Sequence, residues 1–231
     1  MKRNAVQRAV DGRAIIAKGF VRLSQTMTES GPRHTQTWRQ EATSRVFGSL
    51  IAICLLLAAL GWVWPAATDA LRYQRDAVLQ GQVWRLVTAH LVHGDGQHLA
   101  LNMVGTVLIA ALFPQTYRAG QWVVILLMSA GAIGIGFLAW NPGLHWYVGA
   151  SGILHGALAA GVIAWWRAGQ HGLATALAVV LAGKLAWEQW QGALPLTSGL
   201  AVIVDAHAYG VGGGILGSMA VLGWQRRSEQ P

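Results

Sequence analysis

The sequence predicts an all-α, polytopic membrane protein built as a six-transmembrane-helix bundle. Of its 231 residues, 54% are hydrophobic and only 11% are charged, whereas a soluble domain carries about 25% charged residues. Six apolar segments approach the ~20 residues that a helix needs to cross a bilayer. Because backbone groups in lipid must form hydrogen bonds within their own segment, each apolar segment is expected to be a regular helix.

Tryptophans and prolines delimit these segments. The six segments lie at 46–64, 97–113, 122–140, 150–166, 173–190 and 203–224. Indole rings prefer the membrane–water interface, and nine tryptophans lie at segment ends, namely Trp62, Trp64, Trp122, Trp140, Trp165, Trp166, Trp187, Trp190 and Trp224. Pro65, Pro114 and Pro142 follow three of the segments, where a helix is expected to stop.

The two ends of the chain differ in composition from the membrane domain at 46–224. Residues 1–45 are basic and polar and are expected to form a flexible cytoplasmic tail, while 225–231 form a short cytoplasmic C-terminal tail. Three other interpretations of the N-terminal tail stay open: a basic amphipathic helix on an anionic membrane surface, an organellar transit peptide, or an over-extended start with Met27 as the true first residue.

The distribution of lysine and arginine predicts the orientation. With the N-terminus inside, the inner regions hold thirteen of these residues and the outer regions hold three, while Lys184 lies within the fifth segment. Positive charge accumulates on the cytoplasmic side, so both termini are expected inside. The same distribution argues against nucleic-acid binding, because the basic residues lie mostly at the chain ends and no basic–aromatic groove motif appears. The single cysteine, Cys54, excludes an internal disulfide.

Polar residues recur at one depth of the predicted bundle. His98 and Asn102 open the second segment, Ser151 opens the fourth, and His207 lies near the start of the sixth. All three segments begin on the predicted outer side. Ionisable and polar residues inside a membrane domain are rare and usually face an interior cavity, so their convergence predicts a site.

The residue types indicate acyl-transfer chemistry. A serine hydroxyl needs an adjacent base to become nucleophilic, and His207 can act on Ser151 if the fourth and sixth helices approach closely. Glycines at 152, 156, 210 and 214 form the small-residue steps that allow such an approach. His98 and Asn102 are four residues apart and share a helix face. With the Ser151 N–H they can form an oxyanion hole.

Three motifs on alternate helices resemble the rhomboid family of intramembrane serine proteases. They are "HLALN" at 98–102, "GASG" at 149–152 and "AHAYGVGGG" at 206–214, and Trp84 and Arg85 resemble the Trp-Arg pair of the family's long outer loop. The resemblance covers residues 46–224. It implies Ser151 as nucleophile and His207 as general base. His98 and Asn102 would line the oxyanion hole, with Gly149 and Gly152 in support.

The resemblance also implies a mechanism and a setting. The family uses a Ser–His dyad without an orienting acid, and Asp205 lies too near His207 along the chain to be an obvious third member. "SGILHG" is similar to the rhombosortase branch, which is thought to process exported bacterial proteins ending in a Gly-Gly motif, an apolar helix and a basic cluster. The expected substrates are therefore single-span segments cut near the periplasmic face of the bacterial inner membrane. No cofactor and no metal are predicted.

Several residues carry a second interpretation. His155 lies one turn beyond Ser151 and could compete as the base or form a hydrogen bond in the cavity. The histidines of "HLVHGDGQH" resemble a metal site, although an ordered polar loop is the preferred interpretation. Lys184 and Glu188 are interpreted as a mutually neutralising pair rather than as substrate-recognition residues.

Two other functional classes compete with the protease. A catalytically silent rhomboid-like protein could bind or chaperone membrane clients, but such proteins usually lack the serine or the histidine, and this chain has both. A small transporter relaying protons through histidines would predict inverted repeats with broken helices, and no such internal symmetry is visible.

Overall fold

A computed structural model describes residues 33–193 and 202–228. The chain divides into two compact units, Met1–Trp38 and Arg39–Pro231. Within the described part of the first unit, the backbone is helical. The architecture below is that of the second unit.

The described residues form nine helices and one two-stranded sheet. In chain order these elements are α1 (Arg33–Val63), α2 (Pro65–Leu71), β1 (Tyr73–Gln74), α3 (Arg75–Leu79), α4 (Arg85–Thr88), α5 (Gly96–Leu112), α6 (Ala119–Trp140), β2 (Trp146–Tyr147), α7 (Ser151–Arg167), α8 (His171–Gln191) and α9 (Asp205–Ser228). The chain is therefore mostly helical, as its composition predicts.

Each of the six predicted apolar segments contains one long helix, α1, α5, α6, α7, α8 or α9. The largest difference is at α1, which begins at Arg33, whereas the predicted apolar segment begins at residue 46. Residues 33–45 are thus helical, and Thr43 is buried. Residues 1–32 lie outside the described part, so the interpretations of the N-terminal tail stay predictions, as does the division into domains.

Within residues 33–193 and 202–228, two helices are long and apolar enough to cross a membrane by length and composition, Gln40–Val63 within α1 and Ala119–Trp140. Gly96–Leu112 is apolar but shorter. Helices α7, α8 and α9 have lower hydropathy because they carry glycines and the polar residues discussed below. The six-span count therefore stays a prediction.

A buried arginine organises the connection between α1 and α5. The Arg85 guanidinium donates hydrogen bonds to the backbone carbonyls of Asp69 and Arg72 at 2.7 and 2.8 Å. Strand β1 pairs antiparallel with β2, with Tyr73 opposite Tyr147. This sheet ties the connection to the segment that leads directly into α7.

The centre of the bundle is the close contact of α9 with α6 and α7. Glycines allow this contact: a Cβ on Gly210 would overlap the carbonyl of Gly152, and a Cβ on Gly214 would overlap the carbonyl of Gly156. The prediction that these glycine steps bring the fourth and sixth helices together is confirmed.

Candidate active site

Ser151 is the first residue of α7 and follows a constrained turn. Gly149 has a φ of +116°, a backbone conformation that favours glycine. Its N–H donates to the Ala89 carbonyl at 2.9 Å, and its own carbonyl accepts from the Tyr147 hydroxyl at 2.7 Å. Burial raises the pKa of Tyr147, so the hydroxyl stays protonated and keeps donating. These contacts fix the backbone that presents Ser151.

His90 supports the same turn from the loop before α5. Its Nδ1 lies 3.3 Å from the Gly149 carbonyl, and the side chain is buried. Since a carbonyl can only accept, Nδ1 carries the proton in this contact. Burial lowers the pKa of His90 to about 4, and the hydrogen bond to the carbonyl opposes this only in part. His90 is therefore neutral at physiological pH.

His207 meets Ser151 across the α7–α9 interface. The Nε2 atom of His207 lies 3.0 Å from the Ser151 Oγ atom. Helices commonly pack about 8–10 Å apart, and here Gly152 shortens that distance, since a Cβ at this position would lie 3.0 Å from the Ala206 carbonyl oxygen. A direct hydroxyl–imidazole hydrogen bond is thus possible between residues that are 56 positions apart.

A carboxylate occupies the other side of the His207 ring. The Oε2 atom of Glu188 in α8 lies 2.9 Å from His207 Nδ1, and both side chains are buried. The expectation that no acid lies next to the Ser–His pair is therefore wrong, because Glu188 contacts His207. Asp205 is held elsewhere: Asn141 and Gln189 donate to its two carboxylate oxygens.

Lys184 neutralises the carboxylate from the preceding turn of α8. Its Nζ donates to Glu188 Oε1 at 2.5 Å, which confirms the predicted ion pair. The two oxygens of Glu188 thus have separate partners, one the ammonium and the other the imidazole. An ionised carboxylate is tolerated in a buried position when its charge is paired and its oxygens accept hydrogen bonds.

His155 packs against His207 rather than replacing it. The two imidazole rings are stacked, with centroids 4.1 Å apart and an interplanar angle of 19°. The Nδ1 atom of His155 lies 2.6 Å from the Ser151 carbonyl oxygen. Because that oxygen can only accept, Nδ1 is the donor. His155 therefore fixes the face of the His207 ring and contacts the Ser151 backbone.

His98 and Asn102 lie beside the turn that precedes Ser151. A Cβ on Gly149 would overlap the His98 imidazole and would lie 3.5 Å from Asn102 Nδ2. Asn102 is buried, and its Nδ2 has no hydrogen-bond partner within the described residues. An unpaired buried donor costs free energy. Such a donor is useful where a negative charge develops during a reaction.

The described residues that could together hold a metal ion are not the loop histidines. Among the described residues, the trio whose possible ligand atoms lie within 4.8 Å of one another is His155, Glu188 and His207. Their hydrogen bonds already occupy Nδ1 of each histidine and both Glu188 oxygens. A metal ion would have to displace some of these contacts, whereas transfer of a proton from Ser151 to His207 leaves them in place.

The sequence did not predict that Glu188 contacts the site. The available signal was an ion pair within an otherwise apolar helix, since ionisable residues inside a membrane domain are functional candidates. Its partner could not be identified because Glu188 and His207 are 19 positions apart, with residues 194–201 between their helices. No local pattern specifies how α8 is rotated toward α9.

Comparison with known proteins gives one family. The sequence matches the Rhomboid domain over residues 80–224, which is more than half of the chain and includes every residue of the arrangement described above. No curated protein matches the sequence significantly. The chain belongs to the rhomboid family, whose members are generally intramembrane serine proteases that act on transmembrane substrates.

Proposed function

We propose that this protein is an active intramembrane serine endopeptidase with Ser151 as nucleophile and His207 as general base. The observation that carries this proposal is the 3.0 Å separation of Ser151 Oγ from His207 Nε2. A general base must lie within about 2.6–3.2 Å of the group whose proton it takes. The retention of both residues argues against a catalytically silent member of the family.

The reaction follows from this contact. Ser151 Oγ attacks the scissile carbonyl carbon while its proton passes to His207 Nε2. When the tetrahedral intermediate collapses, the same proton goes to the leaving amine and an acyl ester on Ser151 remains. Water then attacks that ester, again losing a proton to His207, and the new C-terminus leaves with regeneration of the serine hydroxyl.

The oxyanion hole is proposed from His98, Asn102 and the Ser151 N–H. The side chains of His98 and Asn102 lie against Gly149, two residues before the nucleophile, and Asn102 Nδ2 has no partner of its own within the described residues. As the first residue of a helix, Ser151 has an N–H without an intrahelical acceptor. These donors need no rearrangement to receive the negative charge of the intermediate.

The membrane setting is proposed from charge and resemblance. The excess of lysine and arginine at the two chain ends supports cytoplasmic termini flanking a membrane domain at 46–224, with cleavage near the periplasmic side of a bacterial inner membrane. The motif "SGILHG" supports processing of exported proteins that carry a Gly-Gly, apolar-helix and basic sorting tail.

Covalent labelling tests the nucleophile without a known substrate. A fluorophosphonate probe is expected to label the wild-type protein and not the Ser151→Ala variant. His207→Ala is expected to lose labelling by about 10⁴-fold or more, whereas His155→Ala keeps a measurable rate. Equal labelling of wild type and Ser151→Ala, or labelling of neither, would contradict the proposed nucleophile. Loss with His155→Ala but not with His207→Ala would move the base to His155.

Co-expression tests the sorting role. A membrane-anchored protein bearing the Gly-Gly tail is produced with the wild-type protein or with the Ser151→Ala variant, and mass spectrometry identifies its C-terminus. A new C-terminus near the Gly-Gly motif is expected only with the wild type. If an unrelated single-span protein is cleaved in preference to the tailed one, the proposed protease activity stands but the proposed sorting role is contradicted.

A further inference from the structure

Glu188 occupies the position from which an acid can control the protonation of His207. A neutral imidazole has one donor and one acceptor nitrogen, and the partner of one nitrogen decides the role of the other. The carboxylate Oε2 of Glu188 lies 2.9 Å from His207 Nδ1. Since an ionised carboxylate can only accept, this contact places the proton on Nδ1 and leaves Nε2 as the acceptor that faces Ser151.

Lys184 presents a competing arrangement. Its Nζ lies 3.3 Å from His207 Nδ1, so Nδ1 could instead accept from the ammonium. That arrangement would set two acceptors, Nδ1 and Glu188 Oε2, 2.9 Å apart with no proton between them. The ammonium already donates to Glu188 Oε1. The geometry therefore favours donation from Nδ1 to Glu188.

We propose that Glu188, with its charge held by Lys184, is a positioning residue that fixes the reactive tautomer of His207 and stabilises the imidazolium formed during catalysis. The proposal rests on the proposed protease function and deepens it. When His207 takes the Ser151 proton, the ring gains a positive charge, which the carboxylate 2.9 Å away stabilises against the opposing ammonium of Lys184, 3.3 Å from the same nitrogen. The site then functions as a Ser–His–Glu arrangement rather than as a Ser–His pair.

Because of Lys184, the Glu188→Gln substitution is expected to change the tautomer of His207. An ammonium can only donate, so it holds the oxygen of the new amide. The amide NH₂ then faces His207 Nδ1 and forces that nitrogen to accept, which places the proton on Nε2 and leaves no base for Ser151.

The first test measures fluorophosphonate labelling over a range of probe concentrations, which separates the maximal labelling rate from the apparent affinity for the probe. Glu188→Gln is expected to lower the maximal rate by about 100-fold or more, with the half-saturating concentration unchanged within about twofold. Glu41→Gln is the matched control, because Glu41 also pairs with a cation four residues away but lies exposed on α1. A Glu188→Gln rate within about threefold of the wild type would overturn the proposal.

The second test removes folding as an explanation. Lys184→Met combined with Glu188→Gln leaves no unpaired buried charge and frees the amide to turn its oxygen toward Nδ1. Lys184→Met combined with Glu188→Met has a similar size and no acceptor. The Gln double variant is expected to label at least about tenfold faster than the Met double variant at a similar unfolding temperature. Equal labelling rates of the two double variants would overturn the proposal.

Different results would overturn the proposed protease function and the proposed role of Glu188. Labelling of the wild type that does not depend on Ser151 would overturn the proposed function, and the role of Glu188 with it. Labelling that depends on Ser151, with equal rates in the two double variants, would overturn the role of Glu188 alone.

Discussion

Helices α1 and α7 each occupy one of the predicted apolar segments, but they contact the rest of the protein in different ways. The buried side chains described in α1 recur every three or four residues and form one stripe, Thr43, Phe47, Leu50 and Cys54. In α7, nine residues between Gly152 and Gly161 are buried, so nearly every side of this stretch contacts protein. Helix α1 contacts protein along one face, whereas α7 is surrounded by protein and carries Ser151.

An intramembrane site needs helices that are enclosed by protein. Interactions between helices in lipid arise from close packing and hydrogen bonds, because lipid tails are as apolar as leucine side chains. A hydrogen bond of 3.0 Å between side chains of two helices needs backbones that approach closely and stay in place. The enclosed helices meet that requirement, and α1 can present its exposed leucines to lipid.

The largest expected effect follows from filling the α7–α9 contact. Gly210→Val would place side-chain atoms against the Gly152 carbonyl, and we expect destabilisation of about 3 kcal/mol or more together with loss of labelling at Ser151. Unfolding in mixed micelles measures the stability. Gly212→Val is the matched control on the same helix, because a Cβ at Gly212 meets nothing within 4 Å among the described residues. Similar losses in both variants would show that helix propensity, not close approach, is responsible.

The sequence predicted the features that depend on local pattern. Each apolar segment contains a helix, and the order of Ser151 and His207 on alternate segments placed them at one end of the bundle. The glycine steps, visible as four-residue spacings, identified the interface that brings the two together. The rotation of α8 about its axis is set by packing that no sequence periodicity encodes. The contact of Glu188 with His207 could therefore not be predicted from the sequence.

Helix α5 has a buried and an exposed residue close together. Asn102 is buried and its Nδ2 has no partner in the part of the chain that the structure describes, while Val104, two residues later, is exposed. Asn102→Ala is expected to lower the rate of Ser151 acylation by about 100-fold, the effect of losing one oxyanion donor. Stability is expected to stay the same or to rise, because an unpaired buried polar group is removed. Labelling rate and unfolding are measured together.

Val104→Ala is the companion variant, and it is expected to change neither quantity appreciably. A loss of stability in Asn102→Ala that parallels its loss of labelling would indicate a structural amide instead of an oxyanion donor.

The third prediction concerns pH and the loop that supports Ser151. The pKa of His90 is lowered to about 4 by burial, whereas an unfolded histidine has a pKa of about 6.5. The unfolded state therefore binds the proton first as the pH falls. The contribution of neutral His90 to stability is present above about pH 6.5 and is lost progressively down to about pH 4, amounting to about 3 kcal/mol.

His90→Phe, which cannot titrate, is expected to lose less stability than the wild type between pH 7 and pH 4. Unfolding in micelles at the two pH values measures the difference, and parallel losses in the two proteins would contradict the burial of a neutral histidine.

The smallest effect is expected on the lipid-facing side of α1. Leu56 is 68% exposed and Leu50 is 7% exposed, although both are leucines of one apolar helix. Leu56→Ala is expected to change the free energy of unfolding by less than about 0.5 kcal/mol, since most of its surface contacts no described part of the protein. Leu50→Ala removes packing atoms and is expected to cost about 2 kcal/mol. If the two substitutions cost the same in a bilayer-mimetic micelle, α1 is enclosed by further protein, and its contrast with α7 disappears.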